Sequence, residues 1–222
     1  GIAPATPPTP PQLTENTSLS LLGLEVTHYS PIGGDDTAYT AMRLEQQSAG
    51  RIHVVHVPKT IDNDLAAPPE IDTFGFQTAR HLGAEIVKNL MVDAHTTSRW
   101  YFLITMGRKA GHLALGIGKA AGATLTLIPE EFGLAGTPLK AITDTLVGAI
   151  IKRLASGKTH GVAVIAEGVV EGIDPGDLEG LDGVERDAHG HLRIAEVAIG
   201  AILKQAVDDA DPRLDRLALA AH

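Results

Sequence analysis

A lysine, a threonine and two aspartates fall within six residues, Lys59 to Asp64, in the string PKTIDND (residues 58–64). They follow directly on the β-branched run Ile52–Val57. A lysine there supplies a point charge for a phosphate. One aspartate can accept the proton of an attacking hydroxyl, and a second can bind a metal ion. These are the parts that phosphoryl transfer needs. A second string, Gly33-Gly34-Asp35-Asp36-Thr37, runs from a strand into a helix start. Its glycines allow backbone amides to approach a ligand closely, and a helix N-terminus favours phosphate. Two carboxylates would repel a bare phosphate, so the pair implies a divalent cation such as magnesium. Without a ligand the same residues read as a tight turn with Asp36 or Thr37 as N-cap.

The elements that must position these groups alternate. Strands are expected over Leu24–Ile32, Ile52–Val57, Trp100–Thr105, Thr124–Ile128 and Gly161–Ala166. Helices are expected over Thr37–Ser48, Thr73–Asp93, Ala110–Ala121, Pro138–Leu154 and Ala195–Asp208. Continuous apolar strands such as WYFLIT and GVAVIA are those of a sheet covered on both faces. The alternation predicts an α/β fold with a parallel, doubly wound sheet. Such sheets bind ligands beyond the carboxyl ends of their strands. Polar clusters fall at four of those ends: Gly33–Thr37, Pro58–Asp64, Met106-Gly107-Arg108 and Glu167-Gly168.

Composition narrows the function classes. The 222 residues are 44% hydrophobic, enough for a buried core. A net charge of −9 argues against general nucleic-acid or anionic-membrane binding. The absence of cysteine removes disulfides, thiolate metal sites and thiol nucleophiles, and fits a reducing compartment. No apolar run reaches the length of a membrane helix, and no basic-then-apolar leader opens the sequence. Residues 1–18 are rich in Pro and Thr and read as a linker or loop. Ten histidines carry no HExxH spacing, and His53 and His56, three apart on one expected strand, should point to opposite faces. His189 and His191 flank Gly190 in an expected hairpin turn, and residues 171–187 read as a solvated acidic connector. Trp100 and His112 are expected to pack, and Glu130 and Glu131 to cap a helix or to support the site.

The strings PKTIDND, GGDDT, SRWYFLITMGRKAGHLAL (98–115), IPEEF (128–132) and AEG (166–168) together resemble the phosphofructokinase family in order and spacing. The resemblance implies two Rossmann-like lobes of doubly wound parallel sheet, the first incomplete. Residues 19–72 would bind the donor phosphate and residues 73–222 fructose 6-phosphate, with the C-terminal part of that lobe missing. Asp62 would be the base for the C1 hydroxyl. Thr60 would contact the transferred phosphoryl group, and Arg108 would stabilise its charge. Asp35 would hold Mg2+ with Asp64 as helper. Met106 and Gly107 would line the sugar-phosphate pocket, and Glu167 would hydrogen-bond the sugar. Arg99 matches an arginine that reaches the sugar phosphate of a neighbouring subunit, which implies a homo-oligomer, dimer or tetramer. A cytoplasmic enzyme with no nucleic-acid or membrane partner follows.

Gly34, Asp36 and Lys59 would bind the donor, and the choice of donor rests on the last two. Members that use ATP carry glycine at the positions of Asp36 and Lys59. A carboxylate at Asp36 would charge the place of the ATP α-phosphate, and like charges about 4 Å apart repel by about 1 kcal/mol even in water. Lys59 would attract pyrophosphate oxygens, so the pair uses both signs of discrimination. The resemblance therefore implies pyrophosphate as donor. The alternatives are an ATP-dependent 6-phosphofructokinase, or an inactive sugar-phosphate or subunit-binding module. The last arises because the glycine-rich phosphate loop before the first helix and a downstream Gly-Tyr segment with arginine are not found in this sequence.

Overall fold

The computed structural model describes residues 27–65, 68, 70–133, 136–178, 184–186, 192–194, 203–207, 209 and 218–221. The chain divides into two compact units, Gly1–Lys59 and Thr60–His222.

In the first unit, β1 (His28–Tyr29) and β2 (Ile32–Gly33) lead into α1 (Asp35–Ser48). The chain returns through β3 (His53–Val54) and β4 (Val57–Thr60). β1 pairs in parallel with β3, and β2 with β4, at Ile32↔Val57 and Gly33↔Pro58. This is one β-α-β crossover whose strands are each interrupted. The expected strand Leu24–Ile32 breaks at Ser30-Pro31, because Pro31 has no N–H to give. Its carbonyl still accepts from the Val57 amide at 2.9 Å, so the two halves share one ladder. The expected strand Ile52–Val57 breaks at Val55-His56. His56 is thereby removed from strand alternation, and its Nε2–H donates to the Gly33 carbonyl at 3.0 Å.

In the second unit, β5 (Phe74–Gly75) enters α2 (Phe76–Thr97), then β6 (Arg99–Thr105), α3 (His112–Ala121) and β7 (Leu125–Leu127). The short α4 (Pro129–Phe132) and the long α5 (Leu139–Ala155) precede β8 (Gly161–Ala166) and α6 (Glu167–Glu171). Pro138 is the N-cap of α5 rather than its first helical residue. β9 (Val184–Arg186) falls at the end of the stretch expected to be a connector and pairs antiparallel with β10 (Leu192–Ile194) beyond it. β11 (Ala218–Ala221) is the last strand. The linker of residues 1–18, the turn at residues 189–191 and the start of the helix expected over 195–208 lie outside the described residues. Residues 203–207 are helical, with Leu203 and Val207 fully buried.

One sheet has the order β11-β6-β8-β7, and all its pairings are parallel. β8 sits between β6 and β7, and every one of its residues is buried. This explains why GVAVIA shows no alternation: helices cover it on both faces. Trp100 and Phe102 of β6 join Ile142, Leu146 and Ile150, spaced four apart on α5, in the core. α2 and α3 pack closely because Gly83 leaves its place to the Ile117 side chain. Parallel pairing puts the carboxyl ends of β6, β7 and β8 on one edge. No helix among the described residues is long and apolar enough to cross a membrane.

Candidate active site

α1 begins at Asp35, two residues earlier than its apolar pattern predicts, with Gly34 as N-cap and no side-chain cap bond. Asp35 and Asp36 therefore occupy the first turn instead of the cap, where carboxylates suit the helix dipole. Gly33 is fixed by space, since any Cβ there would collide with the Thr37 side chain. Lys59 lies exposed on β4.

In the second unit the later part of PKTIDND, from Thr60 on, is held by Asn63. Asn63 adopts φ 58°, in the left-handed region that Asn tolerates better than most side chains. Its Oδ1 accepts the Thr73 amide at 2.8 Å, and the buried Thr73 hydroxyl donates to the Thr60 carbonyl at 2.7 Å. The Asp62 amide donates to Thr60 Oγ1 at 3.2 Å. Burial pushes the Asp62 carboxyl above its ordinary value; a Thr60 hydrogen bond opposes this, the charges of Asp64 and Glu167 add to it, and Arg108 opposes it. The structure thus brings Thr60, Asp64, Arg108 and Glu167 within reach of the Asp62 carboxyl.

The loop after β6 carries Met106, Gly107 and Arg108. Arg108 has φ 49°, a conformation that costs a non-glycine residue about 1–2 kcal/mol. Gly107 has φ 144°, and a Cβ there would lie 2.7 Å from the Ala110 carbonyl oxygen. Glu167, the first residue after β8, accepts on one oxygen, Oε1, the amides of both Gly107, at 2.9 Å, and Arg108. The Ala110 amide closes the turn onto the Gly107 carbonyl at 2.9 Å. Glu130, beyond β7, accepts the Gly111 amide at 2.8 Å. A carboxylate bonded to amides is a strong, charge-assisted anchor.

Met106 and Arg108 are exposed, and Gly107 is buried beneath them. Arg99 lies at the other end of β6, and seven strand residues span ~20 Å. The structure does not bring it to this loop. His112, expected to pack, is instead exposed as the first residue of α3. Sequence reasoning missed the bracing role of Asn63. Its signal was an asparagine at a sharp turn between two aspartates, where local side-chain to backbone bonding is favoured. Among the described residues no group of three or more His, Cys, Asp or Glu is placed to hold a metal. Magnesium needs fewer protein ligands, commonly one or two carboxylates completed by phosphate oxygens and water. Asp35 and Asp36, in the first turn of a helix, and Asp64 suit that requirement by chemistry.

The Asp62 shift gives a pH test. An NMR titration of its carboxyl should show a pKa above that of an ordinary aspartate. Asp64→Asn should lower the value, and Arg108→Ala should raise it. Because the folded value is raised, the associated stability is present below the ordinary pKa and is lost as pH rises through the folded one. A carboxyl titrating at its ordinary value, indifferent to both changes, would show that the cluster is not assembled.

Comparison with known proteins bears on this arrangement. The family model described as Phosphofructokinase matches residues 15–211. The chain is 54% identical over 196 residues to a pyrophosphate–fructose 6-phosphate 1-phosphotransferase of Thermotoga maritima, covering 87% of this chain and 46% of that protein. It is 48% identical over 198 residues to a protein of the same name from Naegleria fowleri, covering 85% and 44%. The chain thus spans less than half the length of these relatives. Its fold matches the solved pyrophosphate-dependent phosphofructokinase of Nitrosospira multiformis with a TM-score of 0.60 at 21% identity, covering 88% of this chain and 44% of that one.

Proposed function

Because the chain belongs to the phosphofructokinase family, we propose that it carries the catalytic core for moving a phosphoryl group from pyrophosphate to the C1 hydroxyl of fructose 6-phosphate. Fructose 1,6-bisphosphate and phosphate are the products. The observation that carries the reading is Asp62: an aspartate raised by burial, set among Thr60, Arg108 and Glu167. A base with a pKa nearer to the working pH is better matched to a hydroxyl proton.

In this reading Asp62 takes the C1 hydroxyl proton as the oxygen attacks the terminal phosphorus. Thr60 contacts the phosphoryl group in transit, and Arg108 offsets the charge that develops on its oxygens. Gly34, Asp36 and Lys59 bind the donor, with Lys59 countering its charge. Asp35 and Asp64 would hold Mg2+, which when bound neutralises phosphate charge and orients the donor. Met106, Gly107 and Glu167 line the sugar-phosphate side. Glu167 can do so with Oε2, which makes no hydrogen bond among the described residues, while Oε1 holds the loop. Residues 19–72 serve the donor and residues 73–222 the sugar phosphate. The distant place of Arg99 supports its use by a neighbouring subunit of a homo-oligomer. The reaction is that of a cytoplasmic glycolytic enzyme.

The test is donor choice. With fructose 6-phosphate and magnesium, the chain should form fructose 1,6-bisphosphate from pyrophosphate in preference to ATP. The double change Asp36→Gly with Lys59→Gly should shift the kcat/KM ratio toward ATP by about tenfold or more, about 1.4 kcal/mol. An unchanged ratio would refute the donor assignment. Fructose 6-phosphate binding without turnover from either donor would favour a binding module.

A further inference from the structure

We propose that Glu130 is a positioning residue for Arg108, holding the far end of the loop on which that arginine is carried. The inference rests on the functional reading above, in which Arg108 stabilises the phosphoryl group in transit.

The loop from Met106 to Gly111 joins β6 to α3 and is tied down at both ends. Glu167 Oε1 holds its start through the Gly107 and Arg108 amides. Glu130 Oε1 holds its end through the Gly111 amide at 2.8 Å. Gly111 is the N-cap of α3, and Glu130 accepts its N–H from another element, the bond that a glutamate in the first turn makes in a capping box. Gly111 has φ −89° and ψ 3°, which any residue can adopt. Glycine is needed here for space: a Cβ would fall on Glu130 Oε2 and on Ile128 Cβ. The carboxylate therefore lies flat against the Gly111 backbone.

Glu130 is exposed, but the backbone that carries it is anchored by its neighbour. Pro129 opens α4 and is buried, with its Cγ facing Gly168 of α6. Thus the short helices that follow β8, which pairs with β6, and β7, which pairs with β8, each supply a glutamate that grips the β6 loop. Arg108, in its left-handed conformation, sits at the first grip and three residues before the second.

Glu130→Ala and Glu130→Gln in the full chain test this, by amide hydrogen exchange and by steady-state kinetics with pyrophosphate, fructose 6-phosphate and magnesium. In Glu130→Ala the Gly111 amide should exchange about tenfold faster. kcat should fall about tenfold, with KM within about twofold. Gln keeps an acceptor oxygen and should restore both. In an Arg108→Ala background, Glu130→Ala should cost no further kcat, because the group it positions is gone. Unchanged Gly111 exchange would overturn the proposal, and so would a kcat loss that persists undiminished without Arg108. An Arg108→Ala variant with full kcat, or a parent chain without turnover, would instead overturn the functional reading and leave the loop anchoring to the exchange measurement.

Discussion

Asp62→Asn should lower pyrophosphate-dependent formation of fructose 1,6-bisphosphate by about 10²–10⁴-fold, the usual worth of a positioned general base. Asparagine keeps the shape of the side chain but can neither take a proton nor carry the carboxylate charge. KM for fructose 6-phosphate should stay within about threefold, since the lost interaction belongs to the transition state. The same substitution separates catalysis from folding. Burial raises the Asp62 pKa, so ionising this group at neutral pH works against the folded state. Asp62→Asn should therefore leave the melting temperature at pH 7 unchanged or higher while turnover collapses. Substantial turnover in the variant would remove Asp62 from the base role, and a lowered melting temperature would show that its charge is stabilised in a way the Thr60 hydrogen bond and Arg108 do not explain.

Three strands of the second unit's main sheet, β6, β7 and β8, were legible in the sequence because their signal is local, whereas β11 was not expected. GVAVIA begins and ends where β8 does: its six residues lie between His160 and Glu167, a run too short for most helices and rich in valine and isoleucine. Trp100 lies in the core as WYFLIT implied. The first unit was harder. Pro31 and the Val55-His56 break split strands that look continuous by hydropathy, and periodicity does not register a missing N–H. The early start of α1 was hidden because Gly34 caps it without a side chain. At the site, the residues that carry charge were readable one by one from resemblance to a family. The bonds among them were not. Glu130 grips Gly111 across nineteen residues of sequence and Glu167 grips Gly107 across sixty, distances at which neither period nor propensity carries information. Only the strand order, with β8 between β6 and β7, brings these ends together.

That same closeness makes Gly168→Ala the second large effect. Gly168 is buried in α6, immediately after Glu167. A Cβ added there would overlap the Arg108 carbonyl oxygen and lie 3.1 Å from Lys109 Cα and 3.2 Å from Pro129 Cγ. Two of these three neighbours are backbone and cannot rotate away. Pro129 is a rigid ring at the start of the element that carries Glu130. Relief must then come from displacing the Arg108-Lys109 backbone, and overpacking of this kind costs typically 1–3 kcal/mol. Moving that backbone stretches both Glu167 bonds, so Arg108 leaves its place even though no site side chain has been altered. A misplacement of ~1 Å can cost about 10²-fold in rate. Gly168→Ala should accordingly lose about two orders of magnitude in kcat, with a fall in unfolding free energy of about 1–3 kcal/mol by urea titration. Gly148→Ala, on α5 with nothing within 4 Å of an added Cβ, is the matched control and should leave both unchanged or raise stability slightly. Near-normal turnover in Gly168→Ala would mean that the loop can shift without carrying Arg108 with it, and the two-ended grip would lose its functional meaning.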